Sequence, residues 1–113
     1  MSENAEQAAL FEWASYKPEL SLMYAIANGG YRTPRNAAIL KQTGVKSGTP
    51  DICLPVPKGN YGALYIEMKK AKGGRTSVNQ RMCINALNEA GNKAVVCMGF
   101  EQAKAAIESY MAL

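Results

Sequence analysis

The sequence contains no histidine and a single aspartate, Asp51. Without histidine, neither a Ser-His-Asp nor a Cys-His nucleophilic site can be assembled. Acid–base work is left to Glu, Asp, Lys, Tyr or a water activated by a metal ion. Cysteine is sparse: Cys53, Cys83 and Cys97 are odd in number, far apart in sequence and set among apolar neighbours. No Cys-x-x-Cys occurs, so zinc sites built from Cys and His are excluded and buried, reduced thiols are expected. No apolar run reaches 18 residues, and no membrane-spanning helix is expected. Residues 1–6 are polar and acidic, lacking the basic and then apolar regions of a secretory signal, so a cytoplasmic location is expected. The length of 113 residues fits one domain over residues 1–113.

Acidic residues are also scarce in one place. Between Arg32 and Arg81 there are ten Lys and Arg residues but only two acids, Asp51 and Glu67. The flanks are net acidic, and the whole chain is +4. A basic middle segment is either a solvated face or a surface for a polyanion such as nucleic acid.

Periodicity and punctuation predict alternating helices and strands. Helical spacing of Ala5, Ala9, Leu10, Trp13 and Ala14 predicts a helix over 3–15, closed by Lys17-Pro18. The apolar run 22–27 reads as a strand, followed by a turn at Asn28-Gly29-Gly30. Thr33-Pro34 opens a helix that stops near Gly44. Strands follow at 51–54, ended by Pro55 and Pro57, and at 63–69. Ser77 and Gln80 form a capping box for a helix ended by Gly91. A strand at 93–98 and a helix at 101–110 complete an α/β fold, a central mixed β-sheet flanked by helices.

Within this order, two acids and a lysine converge. Side chains alternate along a strand, so Tyr65, Glu67 and Lys69 share one face while Leu64, Ile66 and Met68 share the other. Asp51 begins the hairpin partner and can reach the same point. Oxygen ligands on rigid strands suit Mg²⁺, with the Met68 backbone carbonyl as a further donor. Such a cation would activate water and stabilise charge on a phosphate, with Lys69 beside it. Taken singly, Glu-x-Lys also describes a surface ion pair, and Pro50-Asp51 an ordinary turn. Their occurrence together, in adjacent strands and in the basic segment, favours a site.

The chain resembles the VRR-NUC (virus-type replication-repair nuclease) domain of the PD-(D/E)XK superfamily. The likeness runs from Glu3-Asn4-Ala5-Glu6-Gln7 through Asn28-Gly29-Gly30-Tyr31-Arg32 to the stretch from Lys41 to Asp51. It continues through Tyr61 to Lys69, Gly74-Arg75-Thr76-Ser77, Gln80 and a closing helix from Ala103 to Tyr110. The short form is similar to the stand-alone phage or prophage type, which would place it in a bacterial host's cytoplasm. The resemblance implies a restriction-endonuclease-like core with metal ligands at Asp51 and Glu67 and a catalytic lysine at Lys69. It also implies an acid from the first helix, Glu6 or Glu3, with Glu6 preferred because it precedes the apolar run. Gln80 matches the family's glutamine as well as serving the capping box. Tyr65 either flanks the scissile phosphate or packs across strands. Arg32, Arg35, Lys46, Lys70, Lys72 and Arg75 are the expected DNA contacts. Met68 stands where leucine is commoner.

The expected function is a Mg²⁺- or Mn²⁺-dependent endodeoxyribonuclease acting on branched DNA, at Holliday junctions or flaps. A homodimer would make paired cuts in a junction of two-fold symmetry. The alternatives are a DNA-binding module without cutting activity and a structural or interaction protein.

Overall fold

A computed structural model of the chain describes residues 1–27 and 33–113. The turn expected at 28–30 lies outside the described residues, as does Arg32. The order of elements is α1 (Glu3–Ala14), a 3-10 turn (Pro18–Leu20), β1 (Tyr24–Ala25), α2 (Pro34–Gln42), β2 (Ile52–Leu54), β3 (Leu64–Lys69), α3 (Val78–Glu89), β4 (Lys93–Met98) and α4 (Gly99–Met111). The four strands make one mixed sheet in the order β1-β2-β3-β4. β1/β2 and β2/β3 are antiparallel, and β3/β4 is parallel through the α3 crossover. This is the α/β arrangement expected from the alternating periodicities.

Local chemistry sets the helix ends. The Ser2 hydroxyl accepts from Ala5 N at the start of α1, and Thr33 Oγ1 accepts from Asn36 N at the start of α2, where Pro34 occupies the first turn. α3 has the full capping box at Ser77 and Gln80. α4 begins two residues earlier than its composition indicates. Gly99 at φ +86° makes the turn out of β4, and Gln102 Oε1 accepts from Met98 N at 2.8 Å.

The sheet is covered unequally. Leu64, Ile66 and Met68 are buried on one face together with Leu10, Ala14, Ala103, Ile107 and Tyr110 from α1 and α4. Burial of such side chains contributes about 1.5–3 kcal/mol each. The Tyr110 hydroxyl donates to Val56 O at 2.7 Å, tying α4 to the β2–β3 connection. α1 carries the periodic set Glu6, Leu10 and Ala14 on its buried side. On α3, Met82 is 64% exposed and no residue is fully buried. α2 buries none either.

One reading of the chain needs correction. β1 spans two residues, not six. β2 ends at Leu54 because Pro55 has no N–H to donate, and continuing the Tyr24↔Cys53 register would set Leu22 against Pro55. Lys17-Pro18 does close α1, but the chain then makes a 3-10 turn that buries Leu20. The thiols are free, with Cys53 and Cys97 buried and Cys83 partly so. Among the described residues no helix is long and apolar enough to cross a membrane.

Candidate active site

The site is built on the less covered face of the sheet. β3 alternation sends Glu67 and Lys69 to that face, away from Ile66 and Met68. Asp51 precedes β2 and is locked to β3 twice. Its N–H donates to Ile66 O at 3.0 Å, and its Oδ2 accepts from Met68 N at 2.7 Å. The backbone N–H holds one carboxylate oxygen and leaves the other available. The hairpin therefore brings the lone aspartate to the Glu-x-Lys strand.

Glu67 is 2% exposed and Lys69 7% exposed. Buried charges require partners. Lys69 Nζ lies 3.4 Å from Glu67 Oε2 and donates to Gln80 Oε1 at 3.0 Å. Gln80 Nε2 donates to the same Glu67 oxygen at 3.3 Å. Gln80 Oε1 also accepts from Ser77 N at 2.8 Å, and Gln80 N donates to Ser77 Oγ at 3.1 Å. The capping box and the contact with Lys69 and Glu67 are thus made by one amide at once. Its oxygen must face two donors, so its NH₂ faces the carboxylate. Gly74 permits this arrangement: a Cβ there would sit 2.7 Å from Lys69 Cβ, so the 70–76 loop can fold onto the lysine stem only with glycine at that position.

Glu67 Oε1 has no hydrogen-bond partner although it is buried. Burial and the neighbouring Asp51 carboxylate push the Glu67 carboxyl up to about 8, against the weaker opposing pull of Lys69. One oxygen of Glu67 is therefore held by Gln80 and Lys69, and the other is unsatisfied. Carboxylate oxygens of Glu3, Asp51 and Glu67 all lie within 4.8 Å of one another. An octahedral Mg²⁺ holds its oxygens at about 2.1 Å, which spaces them about 3–4 Å apart. The three acids are within a small side-chain adjustment of that geometry. A hard divalent cation fits the unsatisfied oxygen and the all-oxygen donor set.

Of the two first-helix acids, the one placed in this cluster is Glu3. The sequence reading preferred Glu6, which lies elsewhere. Glu6 is 8% exposed and its Oε2 abuts Gly99, the first residue of α4, where a helix N-terminus favours a carboxylate. The two glutamates are only three residues apart, and sequence spacing alone could not separate them.

A cleft of about 770 Å³ opens over the carboxylates. Asp51, Glu67 and Gln80 line it together with Lys41, Lys46 and the 47–49 loop. The loop is pinned to α3: Asn79 Nδ2 donates to Ser47 Oγ at 3.1 Å. Gly48, at φ +86°, comes so close to the Asn79 backbone that a Cβ would sit 2.6 Å from its carbonyl. Arg35, Lys70, Lys72 and Arg75 are all exposed, and Arg75 lines a separate hollow with Thr76 and Arg81. Tyr65 is half-buried; in β-sheet register with Cys53, it packs across strands. Lys41 also lines the cleft; the sequence placed it in the basic segment but not among the expected DNA contacts.

Comparisons with known proteins give the family and the fold. The model of the VRR-NUC domain matches residues 1–101. A solved structure described as a VRR_NUC domain protein superposes with a TM-score of 0.86 at 26% identity, covering 99% of this chain and 89% of that chain. No curated protein matches. The domain implies a nuclease-type, DNA-processing function, and with it DNA binding. Since the matching model spans most of its length and the fold agrees almost end to end, the chain belongs to the VRR-NUC family.

Proposed function

We propose that this protein is a metal-dependent, structure-selective DNA endonuclease that hydrolyses phosphodiester bonds in branched DNA, at four-way junctions or flaps. The observation that carries the reading is the buried, unpartnered Oε1 of Glu67, set beside Asp51 and Glu3 and two strand positions from Lys69, on the same face. Asp51, Glu67 and Glu3 would hold one Mg²⁺ or Mn²⁺, with the Met68 backbone carbonyl as a further donor. When bound, that cation would supply Lewis-acid stabilisation of the phosphate and make an attacking water more acidic.

The chain's own groups do the rest. Met68 N–H fixes the Asp51 carboxylate, so its orientation is set before substrate arrives. Gln80 and Lys69 hold Glu67 Oε2 and leave Oε1 without a partner. The Lys69 ammonium, anchored by Gln80, offsets the negative charge that grows on the phosphorus oxygens as water adds and the sugar oxygen departs. Lys46, Lys70, Lys72, Arg75 and Arg35 are exposed cations suited to phosphates beside the cut. Arg32 is assigned the same role from its place in the sequence.

The enzyme is expected to act as a homodimer. Val78 and Met82 are exposed apolar side chains on α3, and a two-fold dimer matches a junction's symmetry. A phage-type protein would work in its bacterial host's cytoplasm. The assignment is tested with a labelled four-way junction in Mg²⁺. Wild type should cut it, while Asp51→Ala and Lys69→Ala should not. Cleavage unchanged in both variants removes the assignment. Salt-dependent binding with no product in Mg²⁺ or Mn²⁺ would identify a DNA-binding module instead.

A further inference from the structure

We propose that α2 is the grip for the DNA strand that enters the catalytic cleft, and that Lys41 holds one of that strand's backbone phosphates. The inference rests on the nuclease reading of the same cleft. Lys41 and Ala37 line that cleft together with Asp51, Glu67 and Gln80. They stand at i and i+4 on α2, so one face of the helix is the cleft wall.

Three features set this wall apart from an ordinary solvated helix. From Thr33 to Pro50 every charged residue is basic: Arg35, Lys41 and Lys46. Among the described residues no carboxylate lies within ion-pair distance of the Lys41 ammonium. The segment that follows the helix is also tied to the element that carries Gln80. Ser47 is hydrogen-bonded to Asn79, and Gly48 lies against the Asn79 backbone, so the segment after α2 is fixed to the first turn of α3. α3 in turn carries Gln80, which touches Lys69 and Glu67. Lys41 and the acids therefore line one cleft, and the segment after Lys41 is linked to the acids through Asn79 and Gln80 of α3. A polyanion matches that arrangement: its reacting phosphate meets the acids and their cation, and a neighbouring phosphate meets Lys41.

The test is DNA binding measured in EDTA, which prevents cutting, at a series of salt concentrations. The probes are a labelled single strand and a labelled four-way junction. Lys41→Gln keeps much of the side-chain stem. It should weaken binding several-fold and lower the slope of log K against log salt by about one unit. Lys104→Gln, at a residue whose ammonium lies over the Trp13 ring away from the cleft, should leave the slope unchanged. In Mg²⁺, Lys41→Gln should raise KM with kcat within about twofold, the pattern of lost uniform binding. An unchanged slope in Lys41→Gln overturns the proposal and leaves Lys41 a cation serving only the C-terminus of α2. Wild type that binds but cuts nothing in Mg²⁺ or Mn²⁺ removes the nuclease reading, while the slope comparison still decides the phosphate contact. Wild type that binds neither probe at low salt overturns both.

Discussion

Gln80 holds Lys69: its side-chain oxygen accepts from the lysine ammonium at 3.0 Å while its nitrogen donates to Glu67 at 3.3 Å. The same oxygen accepts from Ser77 N and closes the α3 capping box. Gln80→Ala should therefore lower both stability and turnover. Loss of its half of the cap should cost about 1 kcal/mol in urea denaturation. Single-turnover cleavage should fall by about 10–100-fold, since Lys69 and Glu67 lose their anchor. Ser77→Ala should show a comparable stability loss with a much smaller rate loss, because Ser77 N–H remains to orient the amide. Equal rate losses in the two variants would mean that Gln80 acts only through the helix.

Lys69→Met keeps the stem beneath Gly74 and removes the charge. Cleavage should drop by about 100-fold or more. The Glu67 carboxyl should titrate still higher, because Lys69 is among the groups that pull it down. A carboxyl-specific infrared titration of metal-free protein checks the second point.

Stability of the metal-free protein should fall as pH rises. Glu67 has its carboxyl raised to about 8 in the fold, against 4.5 when free. Between those values the folded state binds more protons than the unfolded state, so the slope of stability with pH is negative there and flattens above about 8. Melting temperatures at intervals from pH 5 to 9 measure this. Divalent cations need the ionised carboxylate. Their stabilising effect should therefore be larger at pH 8.5 than at pH 6, and binding at pH 6 should release protons.

Glu3 and Glu6 should separate cleanly. Glu3→Gln replaces one carboxylate of the cluster by a neutral amide and should weaken Mn²⁺ binding by about 10-fold or more, with little change in stability. Glu6→Gln should leave Mn²⁺ affinity within about twofold. It should cost about 0.3–2 kcal/mol of stability, through its place beside the α4 N-terminus. Calorimetric titration of both variants decides between them.

Much of this architecture was legible because its determinants are local. Thr33-Pro34 and Ser77…Gln80 announce helix starts through groups that bond within one turn. The Glu67–Lys69 alternation follows from strand geometry, and Pro50-Asp51 follows from its place ahead of a hairpin partner. What stayed hidden depends on distant packing. The length of β1 is decided by Pro55 on another strand, and the choice of Glu3 over Glu6 by how α1 docks on β3 and α4. The cleft wall at Lys41 depends on the Ser47–Asn79 contact, which joins residues 32 positions apart. The exposure of Met82 reflects an α3 that lies on the sheet without being buried by it, which its spacing could not reveal.

The central claim is that three acids from one helix and two neighbouring strand segments share one cation. Anomalous diffraction from a Mn²⁺-soaked crystal tests it most directly. The account predicts a single strong peak about 2.2 Å from Glu67 Oε1, with Asp51 and Glu3 oxygens completing the protein's share of the shell. No peak at that oxygen, with Mn²⁺ bound elsewhere or nowhere, would contradict it.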